Sequence, residues 1–137
     1  MRSGSTEFID SNILVYEWDG TDRSKQAAAA TLIERRRRAL VISSQVACEF
    51  AYTASRKLRL TDDEVARILE SYRSFAFIPI DIDLVAAAVA TARSTQLSFW
   101  DALIVESALS AGCGTLWTEN LQHGQVIRGV KVKNPFK

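Results

Sequence analysis

A chain of 137 residues, 47% hydrophobic and 24% charged, has the size and composition of one globular domain with a single core, which excludes a disordered or fibrous protein. Lys and Arg number 17 against 16 Asp and Glu, a formal charge of +1, so any surface for a polyanion must be local. One histidine, His123, and two distant cysteines, Cys48 and Cys113, exclude a histidine-rich metal site, a zinc knuckle and a disulfide framework. Two buried free thiols in a reducing, cytoplasmic compartment are expected. No apolar run suits a membrane span, and the N-terminus lacks a signal-peptide core.

Met1-Arg2-Ser3-Gly4-Ser5 is polar and patternless and is set aside as a candidate expression scar, leaving residues 6–137 as the domain. Thr6 to Ile9 is the expected first strand. It runs into Asp10-Ser11-Asn12 and a short helix through Glu17, ended by Trp18-Asp19-Gly20. Asp22 to Arg38 reads as a helix with Ala27 to Ala30, Leu32 and Ile33 inward. Its final arginines, Arg35 to Arg38, suit the negative end of a helix dipole and are also a candidate phosphate patch. Ala39 to Ile42 predicts a second buried strand, and Gln45 to Leu58 a helix with Phe50, Ala54 and Leu58 at helical spacing. Thr61-Asp62-Asp63-Glu64 is a capping box opening a helix that carries Val65, Ile68, Leu69 and Tyr72. Phe75 to Ile80 predicts a third strand, with Asp81 or Asp83 capping a helix to Ser94. Ser98-Phe99-Trp100-Asp101 opens another helix, which stops at Gly112-Cys113-Gly114. Thr115 to Trp117 predicts a fourth strand ending at Thr118-Glu119-Asn120, Leu121 to Gly129 a loop, and Val130 to Val132 a weak last strand. This alternation predicts an α/β domain, a mostly parallel sheet of about five strands flanked by helices.

In such a sheet the carboxyl ends of the strands meet at one edge, where ligand sites form. Asp10, Glu49, Asp101 and Glu119-Asn120 all fall there. Each has an ordinary structural reading. Asp10 caps a helix, Glu49 is a solvated helix residue, Asp101 completes a Ser98-x-x-Asp101 capping box, and Glu119-Asn120 is a turn. Taken jointly, converging acidic oxygens repel and raise one another's pKa, and a hard divalent cation relieves that repulsion. Without a histidine cluster, an all-oxygen Mg²⁺ or Mn²⁺ site is what ligand softness leaves. Such a cation activates water and neutralises charge on a phosphodiester in flight.

Four stretches together resemble PIN-domain ribonucleases, and above all the VapC-type toxins of bacterial type II toxin–antitoxin pairs. They are Phe8-Ile9-Asp10-Ser11-Asn12-Ile13-Leu14-Val15-Tyr16, Glu49 in its helix, the run from Ser98-Phe99-Trp100-Asp101 to Ala108, and Leu116-Trp117-Thr118-Glu119-Asn120-Leu121-Gln122-His123-Gly124. The likeness covers nearly the whole chain. It implies a PIN-like three-layer sandwich and a metal-dependent endoribonuclease toxin. It also implies a homodimer and a small antitoxin that blocks the site. By position, Asp10, Glu49 and Asp101 match the family's first three acidic residues, which hold the metal, while Ser11, Asn12 and Thr118 orient the site. The fourth acidic position is Asn120 here, and an amide offers an oxygen but no charge. Glu119 as a substitute acid, a naturally weak enzyme, and a substitution that silences a toxic product all account for it.

On this reading Asp10 and Asp101 bind the metal most directly, and Glu49 is a ligand or water-orienting base. Candidate RNA contacts are Arg35, Arg36, Arg56, Arg128 and the face of Trp100, for which packing in the core or a dimer interface is the slightly favoured reading. Antitoxin and dimer surfaces are expected around Leu32, Phe50, Tyr52 and Ile68. Two other classes stay open. One is a catalytically impaired RNA- or antitoxin-binding module, which Asn120 favours. The other is a phosphatase-like Asp10 nucleophile, for which Asn12 lacks the acid function of an Asp-x-Asp pair.

Overall fold

The computed structural model describes residues 6–137, so the candidate expression scar lies outside the described residues. β1 (Glu7–Ile9) buries Phe8 and Ile9 completely. Asp10 continues it in extended geometry, and its carboxylate accepts the Ser11 N–H (2.7 Å), which starts α1 (Ser11–Glu17). α2 (Arg23–Arg36) passes through one 3₁₀ turn into β2 (Leu40–Ser43), whose last residue caps α3 (Ser44–Arg56) through a bond to the Val46 N–H. α4 (Asp62–Ser71) carries the expected capping box complete, with Thr61 and Glu64 bonding each other's backbone. β3 (Ala76–Ile78) follows, then α5 (Ile82–Thr95), capped by Asp81 and ended by Gln96 in left-handed geometry. α6 (Phe99–Ser110) leads to β4 (Thr115–Trp117), β5 (Val126–Ile127) and β6 (Val130–Lys133).

The sheet order is β3-β2-β1-β4-β6-β5, parallel except for β5 against β6. The first two crossovers step one way along the sheet and the third steps back across it. Right-handed crossovers therefore put α1 to α4 on one face and α5 with α6 on the other. α6 is buried continuously from Ala102 to Ala108, and Ile104, Val105 and Ala108 join Phe8, Leu116 and Val132 in the main core. Among the described residues no helix is long and apolar enough to cross a membrane.

Three expectations are corrected here. The sheet has six strands, because residues expected to form a loop include β5. The β5–β6 turn is Arg128-Gly129, both at positive φ (50° and 88°), a two-residue turn without the usual Asn-Gly signature. Cys48 is exposed; only Cys113 is buried, since residue 48 falls outside the inward stripe of α3. Of the residues expected to form partner surfaces, Leu32, Phe50 and Ile68 are core, and Tyr52 alone is exposed, at 62%.

Candidate active site

The strand order reverses between β1 and β4, and the carboxyl ends of these two strands frame a crevice. Asp10 ends β1 and Thr118 ends β4, side by side. The Thr118 hydroxyl donates to Asp10 Oδ2 (2.8 Å) while accepting from Asn12 Nδ2 (3.3 Å) and the Asn120 N–H (3.1 Å). Asn12 Oδ1 in turn accepts the Glu119 N–H (3.3 Å), so α1 and the segment after β4 are laced through one threonine.

Glu49 arrives from the second turn of α3. Its Oε1 accepts from Ser11 Oγ (2.9 Å) and its Oε2 from Gln45 Nε2 (3.1 Å). Asp101 arrives from the first turn of α6. Ser98 Oγ accepts the Asp101 N–H (3.1 Å), but among the described residues the reciprocal bond of a capping box is absent. The Asp101 carboxylate is therefore not consumed by the cap, in contrast to Glu64 of α4.

The electrostatics tie the three acids together. Asp10 is 4% exposed, and its pKa is raised from 3.8 to about 6. Burial is the main cause, and the negative charges of Glu49 and Asp101 push the same way against the bonds from Thr118 and Ser11. A buried carboxylate facing two others is a site that favours a cation. Among the described residues, no group of three or more His, Cys, Asp or Glu side chains is arranged to hold a metal ion by itself. Mg²⁺ keeps several waters and needs only one or two carboxylates, so an open all-oxygen set suits it.

The remaining candidates separate clearly. Asn120 is exposed and joins the network through its backbone. The Glu119 carboxylate turns away to Lys25 Nζ and the Tyr16 hydroxyl (2.9 Å), with Lys25 also lying over the Tyr16 and Phe136 rings. Arg36 bonds Glu7 (3.0 Å) at the start of β1, so Arg35 and Arg36 sit at the opposite edge of the sheet. Arg128 is there too, in the β5–β6 turn, bonded to the buried Glu106 of α6 (2.8 Å), which also accepts from Thr91 Oγ1 of α5. Arg56, at the far end of α3, lies over the Tyr52 ring. None of these four arginines faces the crevice: α2 and α3 run away from it, and the β5–β6 turn is at the sheet's other end. Trp100 stands beside Asp101 and is 61% exposed, which excludes the core reading.

Sequence reasoning missed Gln45. Its amide bridges Glu49 and the Trp100 carbonyl (3.2 Å) and so joins α3 to α6. The available signal was its i,i+4 spacing to Glu49 on a helix opening at the carboxyl edge.

An α/β domain with acids from three elements at its topological switch point is the class that fold and site define. The chain belongs to the PIN domain family, whose model matches residues 8–127. Among solved structures, a toxin–antitoxin complex from Klebsiella pneumoniae is similar, with TM-score 0.71 and 24% identity over 95% of this chain and 98% of that one. VapBC from Salmonella typhimurium, solved bound to DNA, gives 0.67 and 16% over 95% and 98%. The sarcin–ricin loop cleaving toxin VapC20 of Mycobacterium tuberculosis gives 0.66 and 16% over 81% and 87%. At these identities the likeness establishes the fold. No curated protein sequence matches the chain.

Proposed function

We propose that this protein is a divalent-metal-dependent endoribonuclease, the toxin of a toxin–antitoxin pair. The observation that carries the reading is the buried Asp10, its pKa raised by burial and by the nearby charges of Glu49 and Asp101, at the switch point of a PIN domain. Asp10 and Asp101 would hold the cation, with Glu49 beside them. When bound, a divalent cation supplies positive charge to the phosphodiester and acidifies water. Thr118 and Asn12 lock the Asp10 carboxylate in one orientation. Ser11 and Gln45 hold Glu49 by both oxygens, and Glu49 takes the proton of the attacking water. Glu119 is not the substitute acid, because Lys25 and Tyr16 occupy it. The antitoxin partner follows from the relatives, one of which is a toxin–antitoxin complex. A homodimer and a cytoplasmic setting complete the reading.

The test is incubation of purified protein with RNA in Mn²⁺, Mg²⁺ or EDTA. Cation-dependent cleavage that is lost in Asp10→Asn supports the assignment. A second reading, a binding module with an impaired site, is favoured by the amide at Asn120 and the open arrangement of the acids. RNA binding without cleavage at saturating Mn²⁺ would select it.

A further inference from the structure

Beside the acidic crevice, and sharing Glu49 with it, lies a cleft of about 640 Å³ between the openings of α3 and α6. Val85, Phe99, Trp100 and Leu103 make it apolar; Gln45 and Glu49 bring polar atoms to it. Its volume suits a small aromatic ligand.

Two independent features mark it as a binding pocket. Trp100 leaves 61% of its surface exposed although it directly precedes Asp101. Gln45 is only 8% exposed, and its amide nitrogen serves Glu49 Oε2 and the Trp100 carbonyl, while Oε1 is buried without a partner. Those two acceptors fix the amide's orientation, because turning it over would set Oε1 against a carboxylate and a carbonyl. A buried unpaired acceptor is costly, and an entering donor removes the cost.

We propose that this cleft is a base pocket for a nucleotide flanking the scissile phosphate, with the base stacked on Trp100 and its exocyclic amine donating to Gln45 Oε1. The inference rests on the nuclease reading and adds its specificity. The complementarity is chemical. A flat ring matches the Phe99–Trp100 pair, whose rings meet edge-on at 5.0 Å. An amino-bearing base offers its amine to the unpaired Oε1, whereas uracil sets O4 there and has only its ring N3–H to donate. Oε1 lies beneath the surface, so entry of the base requires a side-chain rearrangement at the cleft.

Cytosine and uracil differ at this edge by an amine beside a bare ring nitrogen against a carbonyl beside an N3–H, so oligocytidylate and oligouridylate are the probes. Binding is read by fluorescence anisotropy in EDTA, and cleavage of the same oligonucleotides in Mn²⁺. We expect oligocytidylate to bind about fivefold tighter than oligouridylate, as one hydrogen bond allows. Trp100→Ala should weaken both by about tenfold through lost stacking. Gln45→Met should bring the two affinities together. Since Gln45 also orients Glu49, this variant slows cleavage in both contexts, and the ratio between contexts is the diagnostic reading. Equal affinities in the wild type overturn the pocket. So does a dimer that Trp100→Ala splits without changing RNA affinity, because a second copy would then be the occupant. If Mn²⁺ supports no cleavage of any RNA, the nuclease reading fails, and the EDTA affinities still decide for or against the pocket.

Discussion

Replacing Asp10 by Asn should stabilise the metal-free protein at neutral pH. Each pKa unit corresponds to about 1.4 kcal/mol. The rise from 3.8 to about 6 therefore puts the cost of keeping Asp10 ionised in the fold at about 3 kcal/mol. The folded-state pKa lies above the unfolded one, so protonation favours the fold. The stability this group contributes is complete below about 3.8 and is lost as pH rises through about 6. Asparagine removes the charge and keeps an oxygen for the Ser11 N–H, although its amide crowds the donors around Thr118, which makes 3 kcal/mol an upper figure. The assay is urea unfolding in EDTA at neutral pH and at about pH 5, where the wild type regains part of the difference. Glu17, also pushed up by burial, titrates in both proteins and cancels in the comparison. Mn²⁺ at about a hundredfold excess over its Kd should then stabilise the wild type by about 2.7 kcal/mol and leave the variant unmoved. A variant less stable than wild type at neutral pH, or equally dependent on pH, would refute the account of Asp10 as a buried charge awaiting a cation.

Asn120→Asp restores a charge beside Thr118 and should raise Mn²⁺-dependent RNA cleavage about tenfold or more, on the scale of an added electrostatic group; unchanged rates at saturating Mn²⁺ contradict this. Thr118→Val removes the donor to the buried Asp10 and the acceptor of the Asn12 amide and the Asn120 N–H, lowering both turnover and stability, the latter by about 1–3 kcal/mol in urea unfolding. Arg128→Ala leaves the Glu106 carboxylate buried without its cation. Because Arg128 is half-exposed, the expected loss is about 1–3 kcal/mol, below the full figure for a buried pair. Its RNA affinity in filter binding should stay at the wild-type value, which separates a structural arginine from a substrate contact.

The opposite placement of the arginines has a general reason. α2 must descend to the amino edge of the sheet to feed β2, so the cations that suit its last turn end up as far from the crevice as the domain permits. There Arg36 compensates the nearly buried Glu7, which also accepts the Trp117 indole N–H (2.8 Å). These charges complete the base of the sheet. At the carboxyl edge, Lys25 anchors Glu119, and Lys133 lies over the Trp117 ring.

By itself the sequence determined the parallel α/β frame and the ordered acids. Short apolar runs bounded by polar residues and alternating with amphipathic stretches read as strands of a parallel sheet, and three of the acidic positions directly follow or cap an element boundary. Asp10, Glu49, Asp101 and Thr118 were legible for that reason, since a strand's carboxyl end has a known address in a parallel sheet. Tertiary structure alone decided what each side chain does at that address. It turned Glu119 aside to Lys25 and sent the arginines to the far edge. It left the Asp101 carboxylate outside its cap and buried Gln45 with one oxygen unpaired. Those outcomes depend on which elements meet across the sheet, and periodicity along one element carries no information about its neighbours. The β5–β6 hairpin escaped detection for the same reason: two residues of strand and an Arg-Gly turn hold their shape through a salt bridge to α6, a helix preceding them in sequence and adjacent only in the fold.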